Sequence, residues 1–516
     1  MDRLLTALAT AIFAASPASA DIINVPADQP TIQAGIDAAA SGDEVVVAPG
    51  TYLESVDLGG KAITLRSTDP ADRAVVVATV IDGTGHDYAV RCVSGEGAGT
   101  VLSGLVMTGG ALAGMLIDAS SPTVNACSFA GSGDDGVHVL NDSDPAFHAC
   151  SFTSNPEAGM VIDASSPTVR GGFFTNNGAQ GMLVTNGSPT VNDCAFSNNG
   201  TDGMLVNDGS PTVTGSSFIA NGTLSPATGV LVGHGMQVNG LASNATVTDC
   251  FFSIQQRGIE LNGASATVTD SRFSGHNRGL GIFRSAGGDL TVDRCSFTDN
   301  EFGLQIISGA GDTTTVTRST FSWHDFASIQ VQASGGVLQI SDCTISDSSR
   351  DETASNFLAG GLAFWFSTRD IDVTVTRTTF TNNLRSAIEI GSVQSGTLTI
   401  TESVFRNNSF PGSESGGIRS RNGSEIVVPV VSGSVFFANT PNDTDVVITD
   451  GGGNAFGSPF PPPAVPVAAS TPEGCSRADV TTSGANPGDP EDGVPDGAVT
   501  VEDLTFFVEL WLQGCP

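Results

Sequence analysis

The chain has 516 residues, of which 63 are glycine, and its 54 acidic against 20 basic residues give a formal net charge of −34. This acidity argues against nucleic acid as a partner, because like charges repel. No stretch is apolar over enough residues to predict a transmembrane helix. Residues 1–20 carry Arg3, a short apolar run and the small-residue end SPASA. They predict a signal peptide cleaved after Ala20, and therefore a secreted or cell-surface protein.

Four nearly identical phrases lie between Gly114 and Phe218: GMLIDASSPTVNACSF, GMVIDASSPTVRGGFF, GMLVTNGSPTVNDCAF and GMLVNDGSPTVTGSSF. The aromatic residue that ends a unit recurs every 22 to 23 residues here, at Phe129, Phe152, Phe174, Phe196 and Phe218. Each unit holds three short alternating apolar segments and no helical periodicity. This pattern of three short segments per unit predicts an all-β fold, a parallel β-helix with three strands per turn.

The repeat also predicts how the turns stack. Counting the unit-ending position from Met107 to Phe436 gives about 14 turns for the solenoid of residues 21–457. Because each turn buries its apolar face only against a similar neighbour, we expect inward phenylalanine and valine ladders. Asparagine comes three residues after the unit-ending position in many turns, as at Asn177 and Asn199, and predicts a hydrogen-bonded ladder. Cysteines two residues before that position predict small buried thiols.

The front of the mature chain reads PTIQAGIDAAASGDEVVVAPGTYLE and is followed by GGKAITLRS and VIDGTG. We expect a helix from Pro30 to about Ala40, with Ile32 and Ile36 on one face, that caps the end of the solenoid. These phrases resemble the openings of the right-handed parallel β-helix, or pectin-lyase-like, superfamily, over residues 21–457. The resemblance implies a right-handed fold. It leaves the activity open, because the superfamily includes lyases, hydrolases, esterases, epimerases and proteins with no known reaction.

Alternation in the GxxV strand of each unit points Ile259 and Leu261 inward and Glu260 outward. Extended from turn to turn, it predicts two outward columns that become amide-rich in the second half. Such groups beside an aromatic plane suit a polysaccharide. The predicted substrate-binding residues are Gln237, Glu260, Gln305, Gln330, Glu389 and Arg419 in the first column, with Gly281 opposite Glu260, and Asn262, Gln332, Trp365 and Arg421 in the second, with Phe283.

Polygalacturonase-like members of the superfamily place acids just before the GxxI strand and a Gly-His-Gly one turn later. The matching residues here are Asp134, Asp135, Asp202 and His234. The resemblance implies that these four residues are catalytic candidates. The paired acids lie three turns before Asp202, about 14 Å away, whereas two carboxyl groups that hydrolyse one glycosidic bond lie about 5 to 10 Å apart. The sequence therefore holds no complete catalytic motif.

After residue 457 a proline-rich linker, 458–471, leads to a small module, 472–516. We expect Cys475 and Cys515 to form a disulfide in an oxidising compartment. The spacing of the oxygen-bearing residues predicts a calcium loop, and the apolar side formed by Leu504, Phe507, Val508 and Trp511 predicts a helix after it, Glu502 to Gln513. The module resembles half of a dockerin of the GC type, which implies Ca²⁺ and a cohesin-like or surface-anchoring partner. The predicted Ca²⁺ ligands are Asp492, Asp496, Thr500 and Asp503.

Three functions remain open on the sequence. The first is a secreted β-helix that binds, and possibly processes, extracellular polysaccharide and is tethered through its tail. The second is an enzyme, either a polysaccharide lyase or a polygalacturonase-like hydrolase. The third is a cell-surface adhesion or structural protein.

Overall fold

The computed structural model describes residues 20–224, 231–276, 279–285, 287–349, 360–365, 368–391, 395–409, 416–420, 427–440, 443–444 and 446–457. Residues 1–19 of the predicted signal peptide, the predicted linker and the predicted dockerin-like module lie outside the described residues. The predicted disulfide and the four predicted Ca²⁺ ligands fall in that module.

The described chain is a parallel β-solenoid of about 16 turns, in which three sheets run the length of the molecule. Sheet 1 contains Val56–Asp57, Tyr88–Cys92, Ala113–Asp118, Asp135–Leu140, Met160–Asp163, Met182–Thr185, Met204–Asn207, His234–Asn239, Arg257–Asn262, Leu280–Arg284, Phe302–Ser308, the first part of Ala327–Ser341, Gly360–Phe364, Ser386–Ile390 and Ile418–Ser420.

Sheet 2 follows sheet 1 in most turns and includes the second part of Ala327–Ser341, which passes from one sheet into the other. Its other strands are Ile22–Val25, Glu44–Val47, Thr64–Ser67, Val101–Ser103, Thr123–Asn125, Ala146–His148, Thr168–Arg170, Thr190–Asn192, Thr212–Thr214, Asn244–Thr248, Ser265–Thr269, Leu290–Asp293, Thr313–Thr317, Arg369–Thr376, Gly396–Thr401, Val430–Ser432 and Thr449–Asp450.

Sheet 3 completes each turn with strands of two to four residues. They are Gly50–Leu53, Thr79–Asp82, Val106–Thr108, Ser128–Ala130, Ser151–Thr153, Phe173–Thr175, Ala195–Ser197, Ser217–Ile219, Phe251–Ser253, Arg272–Ser274, Ser296–Thr298, Thr320–Ser322, Thr344–Ser346, Thr379–Thr381, Val404–Arg406, Val435–Phe437 and Ala455–Phe456.

The core is built from ladders of identical side chains, as the repeat predicts. Phe174 stacks on Phe196, and Phe196 on Phe218, with ring centroids 4.6 Å apart in each pair and interplanar angles of 6° and 3°. This distance is close to the spacing between adjacent strands. The seven cysteines of the described residues are free and buried, and burial raises the pKa of Cys127 and Cys194 to about 12. The prediction of buried thiols is confirmed.

The asparagine ladder is buried beside the phenylalanines and satisfies backbone groups at the turn between sheets 3 and 1. The Nδ2 of Asn199 donates to the carbonyl of Phe174 and to the Oδ1 of Asn221, at 2.9 Å in both cases. Asn177 donates its own Nδ2 to the Oδ1 of Asn199 at 3.0 Å. Each amide therefore joins three consecutive turns.

The turn count was underestimated from the sequence. The sheet 3 ladder begins at Tyr52 and Ile81, two turns before Met107, and ends at Phe456, one turn after Phe436. These early turns are hard to recognise because the unit-ending residues are 29 and 26 positions apart. A helix, Arg73–Ala78, lies between them.

The other helix is Ile32–Ala38, shorter than the predicted segment. The predicted face is correct, since Ile32 and Ile36 are buried. The side chain of Thr31 accepts a hydrogen bond from the amide of Ala34, and Glu54 accepts from the amides of Ile32 and Gln33. Its role as a cap of the solenoid end stays a prediction. Two short strands, Thr223–Leu224 and Leu231–Val232, pair antiparallel between the sheet 3 strand Ser217–Ile219 and the sheet 1 strand His234–Asn239 of the chain.

Candidate functional site

The residue before the glycine of each GxxV strand lies at the corner where the chain enters sheet 1. The glycine is required there: a Cβ on Gly203 would lie 2.6 Å from the carbonyl oxygen of Gly235 and from the ring of Phe218. The side chain that precedes it is turned out of the core. Asp202, His234 and Arg257 hold this position in three successive turns.

These corners bring four charged side chains together in what we call the ion cluster: Asp202, His234, Arg257 and Glu260. The imidazole of His234 lies between two carboxylates, with Nδ1 2.7 Å from Oδ1 of Asp202 and Nε2 2.8 Å from Oε2 of Glu260. The backbone amide of His234 also donates to Asp202, at 2.9 Å. Arg257 donates to the same oxygen of Glu260 that faces His234. The cluster thus alternates in charge.

Burial and pairing set the protonation of the ion cluster. Burial by itself lowers the pKa of His234, but hydrogen bonds to Asp202 and Glu260, and their negative charges, raise the pKa to about 9. Burial raises the pKa of Glu260, but the hydrogen bonds and positive charges of His234 and Arg257 outweigh it and bring the pKa to about 2. At neutral pH the imidazole is therefore protonated, each of its N–H groups donates to a carboxylate, and Glu260 is ionised.

A second hydrophobic cluster lies beside the ion cluster, outside the main core. Leu280, Phe302, Ala327 and Ala363 form its buried part, and Phe283, Phe326 and Trp365 are only partly buried. We call these seven residues the outer aromatic cluster. It meets the ion cluster directly, because the guanidinium of Arg257 lies 4.0 Å from the centre of the Phe283 ring.

The register of sheet 1 differs from the predicted one at a single strand. Phe283, and not Gly281, lies opposite Glu260. The segment GLG contains two glycines, Gly279 and Gly281, that could hold the position of Gly203 and Gly235 at the start of the sheet 1 strand. The predicted register placed Gly279 there. The structure uses Gly281, whose Cβ would meet the ring of Phe297 at 2.7 Å. This shift of two residues moves Phe283 into the first outward column.

The predicted amide-rich face exists in part. Asn262 donates to Asn239 at 2.9 Å, and Asn239 donates to Asn207 at 2.8 Å, so these amides form a surface ladder. Gln237 donates to Asn239 at 3.3 Å. Four other predicted residues, Gln305, Gln330, Gln332 and Trp365, also lie on this face.

Several of the predicted substrate-binding residues are buried. Gln330 accepts a hydrogen bond from Gln305 and is 2% exposed. Glu389 and Arg419 lie opposite each other in sheet 1 and form an ion pair of 2.9 Å, with side chains 0% and 6% exposed. At this burial the pair has almost no surface to offer to a ligand. Arg421 lies outside the described residues.

The structure does not bring the predicted catalytic acids together. Asp135 holds the same corner as Asp202 three turns earlier, about 14 Å away by strand spacing. It accepts a hydrogen bond from the amide of Ala158 at 2.7 Å and faces Nε2 of His138 at 2.9 Å. Asp134 is exposed at the preceding position. Only Asp202 and His234 of the four belong to one site.

Sequence reasoning missed Arg257 as a member of the site and assigned Glu260 to substrate binding alone. A signal was present: the residue before the column glycine is polar at Asp135, Asp202, His234 and Arg257. Phe302 and Phe326 were missed because nothing in a single strand shows that the corner turns them outward.

No group of three or more His, Cys, Asp or Glu side chains that could hold a metal ion occurs among the described residues. Neither helix of the described chain has the length and apolar character needed to cross a bilayer.

Comparison with known proteins identifies the fold family. The sequence model of the right handed beta helix region matches residues 113–262, 228–361 and 257–454, which together span more than half of the chain. The chain therefore belongs to the right-handed β-helix family. No curated protein matches it.

Three solved structures illustrate the architecture. The A-module of a mannuronan C-5 epimerase from Azotobacter vinelandii is 14% identical, with 78% of this chain and 93% of that one covered and a TM-score of 0.31. A mannuronic acid specific family 6 polysaccharide lyase from human gut microbiota is 12% identical, with 80% and 86% covered and a TM-score of 0.33. A PL6 family alginate lyase is 11% identical, with 81% and 76% covered and a TM-score of 0.38.

Proposed function

We propose that this chain is a secreted protein that binds extracellular polysaccharide along the outer face of sheet 1. One observation carries the proposal: partly exposed aromatic rings, surface amides and a charged cluster share one continuous parallel face. Aromatic rings pack on the C–H faces of sugar rings, while amides and carboxylates hydrogen-bond sugar hydroxyls. The face is regular over several turns, which suits a repeating polymer better than a small ligand.

The test is retention of the mature chain, residues 21–516, in gels that contain neutral or acidic polysaccharides. We expect at least one polymer to retard the protein. Replacing Gln237 on the outer face of sheet 1 (Gln237→Ala) weakens retention, whereas Gln339→Ala, an exposed glutamine on sheet 2, leaves it unchanged. If no polymer retards the chain, and it adheres to cells through protein instead, the adhesion or structural function takes the place of this proposal.

A second candidate function is glycan cleavage at the ion cluster. The observation that favours it is His234, a protonated imidazole between two carboxylates at the end of the same face. A proton donor and a carboxylate acceptor are the two groups that hydrolysis of a glycosidic bond requires. Asp134 and Asp135 are too far away to take part in this chemistry.

New reducing ends, or unsaturated uronates for a lyase, are the readout of cleavage. If the ion cluster is catalytic, Asp202→Asn and His234→Gln abolish turnover while retention on the polymer persists. His138→Gln is the matched control, because His138 pairs with Asp135 in a similar way on the same sheet. Turnover that survives both cluster variants excludes this site.

We further propose that the chain is exported by its first 20 residues and tethered by residues 472–516. The support is the sequence: the signal-like segment, the Cys475–Cys515 spacing and the oxygen ligands Asp492, Asp496, Thr500 and Asp503. The expected partner is a cohesin-like or other surface-anchoring protein. Calcium titration of residues 21–516 tests the tail: we expect one saturable site that Asp492→Ala removes. Absence of saturable binding at millimolar Ca²⁺ refutes the dockerin-like module.

A further inference from the structure

The outer aromatic cluster indicates which chemical class of polysaccharide the face would take. It spans four successive strands of sheet 1, from Leu280–Arg284 to Gly360–Phe364, which is about 14 Å along the solenoid. The rings of Phe302 and Phe326 lie with centroids 5.2 Å apart. Apolar rings gathered outside the core and partly open to solvent are a feature of many binding surfaces.

The outer aromatic cluster lies on the outer face of sheet 1 and not in the core of the solenoid. Phe283 follows Ile282, which is fully buried in the core, and Ala363 lies between the core residues Leu362 and Phe364. Alternation along each strand therefore directs Phe283 and Ala363 away from the core. Phe283 contacts the ion cluster directly, because the guanidinium of Arg257 lies over its ring.

The cations of the ion cluster and at the far end of sheet 1 are already paired with carboxylates. Within the ion cluster, His234 and Arg257 balance Asp202 and Glu260. Further along the sheet, Arg419 is paired with Glu389. A polymer that carries a carboxylate on each sugar would have to displace a protein carboxylate to reach these cations, in a molecule whose net charge is −34. An uncharged sugar ring meets no such penalty.

We infer that the outer face of sheet 1 selects an uncharged polysaccharide, whose pyranose rings stack on Phe283 and the neighbouring partly buried rings of the outer aromatic cluster. The inference rests on the proposed polysaccharide-binding function and names its substrate class. Stacking then supplies most of the affinity, and the surface amides of Gln237 and Asn262 contribute hydrogen bonds to hydroxyls.

The experiment compares retention of residues 21–516 by neutral polymers (a β-glucan, a xylan and a β-mannan) with retention by polygalacturonate and alginate, each at low and high salt. We expect retention by at least one neutral polymer that changes less than twofold with salt, because no ion pair forms. Phe283→Ala and Trp365→Ala weaken it at least tenfold. Phe173→Ala, an exposed ring on sheet 3, is the matched control and binds as the parent does.

Retention by the polyuronates alone, fading as salt rises, overturns the inferred substrate class and leaves the proposed function standing. Retention by a neutral polymer that both aromatic variants preserve overturns the role of the outer aromatic cluster. Retention by no polymer of either class overturns the proposed function itself. Circular dichroism of each variant confirms that loss of retention does not arise from unfolding.

Discussion

The fold shifts the pKa values of two histidines, His234 and His276, in opposite directions. His234 is held between carboxylates, which favour its charged form and raise its pKa to about 9. His276 replaces an asparagine in the ladder and is fully buried, and this burial lowers its pKa to about 4 despite hydrogen bonds to the backbone of Gln255 and Phe252, which raise it. The folded state therefore favours the protonated form of His234 and the neutral form of His276.

We predict that the protein loses stability as the pH rises above neutral, and that the variant His234→Gln loses less of it. Because the folded pKa of His234, about 9, exceeds its ordinary value of 6.5, its contribution is fully present below about pH 6.5 and disappears as pH rises to about 9. Urea midpoints at pH 6 and pH 9.5 measure it. The parent should lose more stability between them than the variant, and His148→Gln, an exposed histidine, should behave as the parent. Equal losses in parent and His234→Gln contradict the ion cluster.

His276→Asn should act at acidic pH. The folded pKa of His276, about 4, is below the ordinary 6.5, so the neutral ring stabilises the fold above pH 6.5 and this contribution is lost as pH falls to about 4. Asparagine restores the ladder next to Asn300, to which the amide of residue 276 already donates, and does not titrate. We expect a smaller drop in urea midpoint from pH 7 to pH 4.5. An unchanged drop would show that His276 does not limit acid stability.

Residue patterns predicted half of the ion cluster. The Gly-His-Gly phrase and the acid one turn earlier marked His234 and Asp202, because their corner position is fixed by the glycine that follows. Glu260 was placed on the outer face but not in contact with His234, since its side chain reaches back across one strand. That contact depends on rotamers and on Arg257, which pairs with the same carboxylate, and a sequence pattern does not encode it.

At the scale of a single turn, backbone hydrogen bonds and buried amides are continuous from one repeat to the next. The amide of Asn177 donates to the Oδ1 of Asn199 at 3.3 Å, and so does its side chain. The repeat predicted these ladders because identical residues recur at the strand spacing. It failed at the strand Leu280–Arg284, where two glycines fit the column and the packing of Gly281 against Phe297 decides the register.

Asn199→Ala should destabilise the solenoid by about 3 kcal/mol, because buried amide and carbonyl groups of neighbouring turns lose partners at about 1–3 kcal/mol each. Asn199 is fully buried. The matched control is Asn192→Ala in the same turn, on the outer face of sheet 2, where we expect a change within about 0.5 kcal/mol. Denaturant unfolding of both variants measures the difference. Equal effects would contradict a structural role for the ladder.

At the scale of the molecule, about 16 turns stack into a rod roughly 75 Å long, and its sheets present different surfaces. The three-strand turn and the inward ladders were predictable because they repeat. The outer face of sheet 1 was harder to predict. The outer aromatic cluster joins Phe283, Phe302, Phe326 and Trp365 from four turns that have no sequence motif in common. The outer aromatic cluster depends on the conformation of the chain where it enters sheet 1, and this conformation differs from turn to turn.

The central claim is that glycan binds on the outer face of sheet 1, and hydroxyl-radical footprinting of residues 21–516 tests it most directly. Oxidation of each aromatic residue is measured by mass spectrometry with and without a saturating neutral polysaccharide. The account predicts that oxidation of Phe283 and Trp365 falls several-fold, while Phe173 and Phe456, which are exposed on sheet 3, are oxidised as before. Protection of Phe173 or Phe456 with none at Phe283 and Trp365 would contradict it.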